Sequence, residues 1–163
     1  ISVSWYENGQ KSWEGKFKNE KLEELGTGWY ENGQTRSKVN YKNGKEEGLW
    51  TGWYRNGQKE FEGNLKDGKR DGIRTAWYAG GEQYYVGNFK NGKLDGTVFV
   101  EQGDEGFKVA NFKNGKLDGV FVVWNNLMGI TSAEIYKNDF LVKEAAHPFK
   151  EAVNVTAYPP ALA

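Results

Sequence analysis

The chain has 163 residues with 22 basic and 22 acidic side chains, so its formal net charge at pH 7 is zero. The two signs are mixed along the chain, which argues against a nucleic-acid partner, because such binding needs a basic face that displaces counterions. The absence of cysteine excludes a disulfide framework and a thiolate site. No apolar run reaches the roughly 20 residues that cross a bilayer, so the sequence does not support membrane contact.

A tandem repeat organises the sequence. The motif WYENGQ begins at Trp5 and returns unchanged at Trp29, as WYRNGQ at Trp53 and as WYAGGE at Trp77, so each step is 24 residues. A second motif recurs in phase with the first, as YKNGKEEG, LKDGKRDG and FKNGKLDG. Periods of about 20 to 50 residues are typical of solenoids and arrays, and we therefore expect one cooperative array.

The fifth unit departs from this pattern. It spans 23 residues, Glu101 stands at the position of the tryptophan, and QGDEG replaces the YxNGQ turn. The tryptophan then returns at Trp124. We assign six hairpin repeats of about 24 residues to residues 1–140 and a non-repeat C-terminal tail, for capping or interaction, to residues 141–163.

Each unit holds two turn signals that favour tight β-hairpins, because Gly and Asn reach the positive φ that short hairpin loops require. The segments between the turns have about six to eight residues, are rich in aromatic and β-branched side chains, and alternate in polarity, which indicates strands. The sequence therefore predicts an all-β, up-and-down meander of about twelve antiparallel strands. The first turn type contains Asn8-Gly9, Asn32-Gly33, Asn56-Gly57 and Gly80-Gly81, and the second contains Asn43-Gly44, Asp67-Gly68, Asn91-Gly92 and Asn114-Gly115.

The length of these loops decides which side chains share a face, because a register change of one residue moves every side chain to the other face. We expect three-residue loops in both turn types, with Gly at a left-handed bulge position, such as 31–33 and 42–44. That register collects most aromatic and apolar residues on one face, whereas two-residue turns would mix polar and apolar residues on both. It pairs Trp29 with Thr35, Thr27 with Ser37 and Leu25 with Val39, and it places Trp13 and Phe17 on the face of Trp29.

The units from the fourth onward are more apolar. Val109 and Ile135, for example, stand where the early units carry charged or polar residues on the second face. Such a face requires cover, and we expect the segment after Asp139 to fold over units four to six as a cap. Within it, Leu141 to Ala146 is predicted to form a short helix that ends before Pro148.

The phrases YENGQ, FKNGKLDG and YKNGKEEG, at this spacing, resemble the bacterial variant of the MORN repeat, which occurs in YwqK-family antitoxin-like proteins. The resemblance covers roughly Trp5 to Phe140. The chain departs from the pattern at Asn19-Glu20, where a turn glycine is absent, at Glu101 and in the tail. The resemblance implies an elongated, twisted, single-layer antiparallel sheet of tandem hairpins, and it implies binding or scaffolding in place of catalysis.

Two aromatic columns recur with the repeat. We expect one column to be structural, with rings that pack over glycines. We expect the other set to lie on the opposite face and to be open to a partner. The structural column comprises Trp5, Trp29, Trp53, Trp77 and Trp124, and the partner-facing set comprises Tyr6, Tyr30, Tyr54, Tyr78 and Trp50.

The residues predict no catalytic, cofactor or metal site. His147 is the only histidine, and it has no companion base, nucleophile or metal ligand nearby. Asp71, Asp95 and Asp118 recur before a glycine and alternate with lysines at identical turn positions. This arrangement favours carboxylates that support turns over a calcium ladder. We expect a non-enzymatic protein that needs no cofactor.

The leading prediction is an antitoxin-like or adaptor scaffold that binds a protein partner through an extended sheet face. The alternative is a structural subunit of an extracellular or cell-envelope assembly, in which chains join through the two edge strands. The chain begins at Ile1 without a methionine, and removal of a signal peptide would fit this alternative. Localisation stays open between the bacterial cytoplasm and, with such a signal, the cell envelope or the exterior.

Overall fold

The computed structural model describes residues 1–144, and residues 145–163 lie outside the described part. Residues 1–144 form one open sheet of 13 strands, in which each strand pairs with its neighbours in the sequence. This is the all-β antiparallel meander of hairpins that the turn signals predict, and it does not close into a barrel. The strands are β1 (Ser2–Trp5), β2 (Lys11–Lys18), β3 (Lys21–Trp29), β4 (Thr35–Lys42), β5 (Lys45–Trp53), β6 (Lys59–Lys66), β7 (Lys69–Trp77), β8 (Gln83–Lys90), β9 (Lys93–Glu101), β10 (Phe107–Lys113), β11 (Lys116–Asn125), β12 (Gly129–Lys137) and β13 (Phe140–Glu144), with a 3-10 turn at Gly103–Glu105 between β9 and β10.

The last strand falls where the sequence predicts a helix. The prediction of a helix at Leu141 to Ala146 is wrong over its described part, because residues 141–144 belong to β13, which pairs with β12. Asn138 and Asp139 have φ of 51° and 73°, so they form the same kind of tight turn as the earlier repeats and return the chain beside β12. The predicted cap over units four to six lies outside the described residues.

The first turn type has the predicted three-residue loop. In the second unit, the Tyr30 N–H donates to the Gln34 carbonyl at 2.8 Å, and the Gly33 N–H donates to the Tyr30 carbonyl at 2.9 Å. Gly33 has a φ of +83°, which an L side chain rarely adopts. These features define a tight turn followed by a glycine bulge, and they confirm the predicted loop at residues 31–33.

The second turn type has two loop residues, so the predicted three-residue loop at 42–44 is wrong. Lys42 lies directly opposite Lys45, and the intervening Asn43 and Gly44 both have positive φ, 53° and 81°. Positive φ at both central residues is the geometry whose twist matches that of the flanking strands. The Asn-Gly pair can adopt it without a third residue.

A β-bulge follows the first loop in most units. Trp29 lies opposite Thr35, as predicted, but the next pair is Gly28 with Ser37, so Arg36 is an extra residue in β4. An extra residue exchanges the faces of the residues beyond it. The remaining predicted pairs are therefore wrong: Thr27 lies opposite Lys38 and not Ser37, and Leu25 lies opposite Asn40 and not Val39.

The aromatic and apolar residues are therefore divided between the two faces of the sheet. The prediction that most of them collect on one face is wrong. We call the side that carries the repeat tryptophans the tryptophan face, and the side that carries the strand glycines the glycine face. Trp13, Phe61 and Tyr85, in β2, β6 and β8, point to the side opposite that of the tryptophans that end β3, β5 and β7. The tryptophan face includes Trp29, Thr27, Lys38, Thr51 and Glu62, and the glycine face includes Trp13, Gly28, Ser37, Gly52, Phe61, Ala76 and Tyr85.

Rings on the glycine face pack over glycines. A Cβ atom at Gly52 would lie 2.3 Å from a ring atom of Phe61, and one at Gly15 would lie 2.4 Å from the Trp13 ring. The ring over Gly15 comes from the same strand, whereas the ring over Gly52 comes from the neighbouring strand. Ala76, which pairs with Phe61, has 0% exposure. Full burial of an aromatic ring contributes about 1.5 to 3 kcal/mol, and the half-buried Trp13 and Phe61 rings contribute part of this to the packing of the glycine face.

The fifth unit has 23 residues and not 24 because it lacks the bulge residue. Its first loop still closes with the Gln102 N–H donating to the Gly106 carbonyl at 2.7 Å, as in the other units. Glu101 lies opposite Phe107, and the next pair, Val100 with Lys108, follows without an extra residue. The residue that is missing from the 23-residue period is therefore the bulge residue.

Candidate binding surface on the tryptophan face

The repeat tryptophans form a column across the tryptophan face. Trp5, Trp29, Trp53 and Trp77 each end an odd-numbered strand, directly before the first loop. Successive members are two strands apart, which is about 10 Å. Trp5 is 59% exposed, and the other three are half-buried. The column therefore contributes to the sheet while part of every ring stays accessible.

A lysine lies between neighbouring tryptophans in the first unit. The Lys11 Nζ atom is 6.0 Å from the Trp5 ring centroid and 5.7 Å from that of Trp29, so both rings share one ammonium group. The same ammonium pairs with Glu14 at 2.5 Å. In the third unit, Lys59 contacts one ring, that of Trp77 at 5.2 Å, and it pairs with Glu62 at 2.8 Å. Such cation–π contacts are favourable by about 0.5 to 1 kcal/mol at exposed sites.

The second unit supplies the cation from another position. Thr35 occupies the place of the lysine, and Lys38 occupies the place of the glutamate. The Lys38 Nζ atom lies 5.9 Å from the Trp53 ring. These lysines are not among the site residues that the sequence predicts. Their signal is a Lys-x-x-Glu spacing that recurs with the tryptophans, as in Lys11 to Glu14 and Lys59 to Glu62.

Open clefts lie along the column. One cleft of about 220 Å³ is lined by Trp5, Lys11, Trp29 and the first-loop glycines. A second cleft of about 220 Å³, two units further on, is lined by Gln58, Lys59, Trp77 and Gly81. Both are shallow, which suits the insertion of single side chains better than the enclosure of a substrate.

The tyrosines that we predict to face a partner link successive units. The hydroxyls of Tyr6, Tyr30 and Tyr54 each donate to the backbone carbonyl of the tryptophan in the next unit, so each satisfies a carbonyl at a strand end. Burial raises the pKa of Tyr54, and Glu60 raises it further. These bonds run from Tyr6 to Trp29 at 2.7 Å, from Tyr30 to Trp53 at 2.7 Å and from Tyr54 to Trp77 at 2.8 Å.

The last two members of that set pack against other rings. Tyr78 is 41% exposed, and its ring centroid lies 4.6 Å from that of Tyr84. Trp50 lies on the glycine face, with its ring 4.4 Å from Phe61. The set therefore shares a structural function with the tryptophan column, and its contact with a partner stays a prediction.

The asparagines of the first turn type also connect the units. Asn56 accepts a hydrogen bond from the Gln58 N–H at 3.0 Å through Oδ1, which stabilises its own turn. Its Nδ2 group donates to the Ala79 carbonyl in the next loop at 2.8 Å. Asn8 and Asn32 do the same in their units. The NGQ motif thus fixes both the turn and the stacking of the loops.

Two of the three recurrent carboxylates support turns, and these are turns of the next unit. Asp71 accepts a hydrogen bond from the Asn91 N–H at 3.1 Å, and Asp95 accepts one from the Asn114 N–H at 3.1 Å. Asp118 pairs with Lys137 at 3.1 Å. Among residues 1–144, no group of three or more His, Asp or Glu side chains is arranged to hold a metal ion. His147 lies outside the described residues.

The glycine face is filled by its own side chains at its centre. Arg74 lies 5.1 Å from the Phe61 ring and 5.6 Å from the Tyr85 ring. Its Nε atom is buried without a hydrogen-bond partner, and burial lowers the pKa of Arg74. Burial also raises the pKa of Tyr85, which the neighbouring Arg74 opposes. The guanidinium is thus used within the sheet, between two rings.

Comparison of the chain with protein-family models and with curated proteins gives no match. In the described part of the chain, no helix is long and apolar enough to cross a membrane. A function for this protein is therefore inferred from the geometry of the two faces of its sheet.

Proposed function

We propose that this protein is a non-catalytic repeat scaffold that binds a protein partner through its tryptophan face. The observation that carries this proposal is the column of half-exposed tryptophans, interleaved with lysines over consecutive units. Aromatic residues are enriched at the centres of protein interfaces and provide much of the binding energy there. The antitoxin-like or adaptor role implied by the MORN resemblance is part of this proposal.

The shape of the face favours a protein over a small molecule. Four tryptophans at about 10 Å intervals extend over roughly 30 Å, which is the scale of a standard protein interface. The two clefts of about 220 Å³ are shallow and are repeated, which suits side chains spaced along a polypeptide. Mixed lysine and glutamate side chains around the rings provide charges of both signs for a specific partner.

A pair of charge reversals in β4 tests the proposal. Lys38 lies on the tryptophan face, and Arg36 is the bulge residue whose guanidinium lies beside Gly28 on the glycine face. We expect Lys38→Glu to abolish cross-linking to a partner in cells, whereas Arg36→Glu retains it. Mass spectrometry of the cross-linked peptides measures both. Cross-links that map only to the glycine face would refute the proposal.

The alternative, a self-assembling structural subunit, is favoured by the composition of β13. Phe140, Leu141 and Val142 are 75%, 49% and 63% exposed in this edge strand. Exposed apolar edge strands promote pairing between chains. β1 and β13 run in the same direction, so antiparallel contacts form most readily between two copies of β13. Light scattering across concentrations would detect such a dimer, and Leu141→Lys should dissociate it.

A further inference from the structure

The gaps between neighbouring positions of the tryptophan column differ in what fills them. The first gap, between Trp5 and Trp29, contains the Lys11 ammonium. The second gap ends at Trp53, which Lys38 contacts, and the third ends at Trp77, which Lys59 contacts. In each of these gaps the protein provides its own lysine. A cation beside an indole ring is thus a recurring feature of this face.

The fourth gap, between Trp77 and Glu101, has no such lysine. Gln83 lies opposite Trp77, at the position of Lys11 and Lys59. Val86 lies opposite Thr75, at the position of Glu14 and Glu62. Neither of these two positions in the fourth gap therefore carries a lysine or an arginine.

The far wall of the fourth gap carries a negative charge. Glu101 replaces the next tryptophan of the column, and it is half-buried. Within residues 1–144 its carboxylate makes no ion pair. The nearest cation in the pairing, Lys108, lies opposite Val100 and points to the glycine face. The carboxylate therefore lies two strands from Trp77, on the same face, and makes no ion pair within residues 1–144.

Aromatic rings complete the wall beyond Glu101. Phe107 is the direct cross-strand partner of Glu101, and its ring stacks on Trp124 at 5.8 Å with an interplanar angle of 8°. Phe99 packs against Phe107 at 5.4 Å. These contacts fix the rings, so the gap has preformed walls: an indole on one side, and a carboxylate beside a packed ring on the other.

We propose that the gap between Trp77 and Glu101 binds a lysine side chain of the partner protein. This inference rests on the proposed function and names the chemistry that the partner provides. Lys59 contacts the Trp77 ring from the third gap, and the partner's ammonium group would contact the same ring from the fourth gap, as Lys11 contacts Trp5. It would pair with Glu101 as Lys11 pairs with Glu14. The methylene stem would pack against Val86, since long cationic side chains bury their stems on apolar surface.

A titration of the full chain with Nα-acetyl-lysine amide tests the site directly. We expect a saturable shift of the Trp77 indole N–H signal in heteronuclear NMR spectra. Nα-acetyl-norleucine amide, which has a similar stem and no charge, is the matched control and should cause at least threefold weaker binding. Glu101→Gln should weaken the lysine probe to a similar extent. Equal shifts from both probes would overturn the proposal.

An exchange of residues between units sharpens the test. Gln83→Lys restores the lysine of the first and third units, and it should abolish the shift by occupying the gap. Lys59→Gln is the converse variant, and it should produce a new but weaker response at the third gap, which has no Glu101. A Gln83→Lys chain that still binds the probe would contradict the assignment.

A separate variant tests whether the lysine comes from the partner or from this chain. Lys150 is the only lysine in residues 145–163. Tighter probe binding by the full-length Lys150→Gln variant would show that the chain fills its own gap, and this would overturn a partner lysine. Loss of cross-linking in Gln83→Lys, with probe binding lost as well, is the expected result. If Lys38→Glu leaves the partner bound while the probe still binds Trp77, the proposed function fails and the cation site remains.

Discussion

The third unit (residues 53–76) and the fifth unit (residues 101–123) contain the same two strands and two turns, but they are connected to their neighbours by different side chains. In the third unit, Tyr54 and Asn56 donate hydrogen bonds to the next unit, and Phe61 packs over the preceding strand. In the fifth unit, Gln102, Asp104 and Lys108 occupy these positions. The loop is linked instead by Asn126, which donates to the Gly103 and Asp104 carbonyls at 3.3 and 3.4 Å.

The fifth unit distinguishes the contacts that the topology of the sheet requires from the contacts that only add stability. The β9–β10 pairing is regular although the fifth unit lacks the bulge and the Trp, Tyr and Asn side chains of the first motif. Backbone pairing and positive-φ turns are therefore sufficient for the topology. The tyrosine, asparagine and aromatic contacts contribute stability in the units that have them, as expected for an array with nearest-neighbour coupling.

Replacement of the Phe61 ring should show the largest contrast between the two units. Phe61→Ala removes contacts with Trp50, Gly52 and Arg74, and we expect a loss of about 3 kcal/mol. Lys108→Ala, the matched change in the fifth unit, should cost less than about 0.5 kcal/mol. Urea denaturation followed by circular dichroism measures both. Equal losses would show that the units do not differ in packing.

Removal of a single hydroxyl should have an intermediate effect. Tyr54→Phe deletes the hydrogen bond to the Trp77 carbonyl, and we expect it to destabilise the protein by about 1 kcal/mol. Tyr78→Phe is the control, because Tyr78 precedes the fifth unit and its hydroxyl makes no such bond within residues 1–144. A cost for Tyr78→Phe as large as that for Tyr54→Phe would contradict the assigned role of the bond. Thermal unfolding of the two variants is sufficient.

In the first unit, Glu24 stands at a position where the later units have a glycine. Glu24 has a φ of 63°, and the corresponding residues Gly48, Gly72, Gly96 and Gly119 also have positive φ. Glu24→Gly should stabilise the protein by up to about 1 kcal/mol, because strain is relieved and only an exposed ion pair with Lys16 is lost. The reverse change, Gly72→Glu, should destabilise it. Chemical denaturation would reveal a failure if both variants shifted the midpoint in the same direction.

The sixth unit should show the smallest effect, as a pH dependence. Hydrogen bonds from Tyr136 and Ser132 hold the pKa of Glu134 below its usual value. A depressed pKa in the folded state contributes stability above the unfolded pKa, and this contribution is lost as the pH falls from about 4.5 through the folded value. Glu134→Gln should therefore flatten the stability profile below pH 4.5. Superimposable profiles of the two proteins would exclude this contribution.

Much of the fold follows from local sequence. The 24-residue period, the Asn-Gly turns and the alternating strands predict an antiparallel meander of hairpins, and the structure has this architecture. The three-residue loop at 31–33 was also predictable, because Gly33 at positive φ is required there. Asn138-Asp139 forms a two-residue turn with positive φ at both residues, although the apolar residues that follow it led us to expect a helix.

The assignment of residues to faces was not predictable in the same way. It depends on whether each connection has an even or an odd number of residues, and a single bulge residue such as Arg36 reverses it. The side-chain pattern of Trp13-x-Gly15-x-Phe17 is compatible with either face. Only the pairing of Trp13 with Gly28 decides that this motif lies opposite the tryptophan column.

By itself the sequence determined that the chain repeats, where it turns and that its segments are strands, because turns and alternation are set by residues close in the chain. The tertiary structure decided which columns share a surface, which tyrosine reaches which carbonyl, and where a lysine stands between two tryptophans. Those relations join residues about 23 positions apart, and they depend on the exact register of every intervening pair. The preference of each short segment for a strand or a turn does not specify this register.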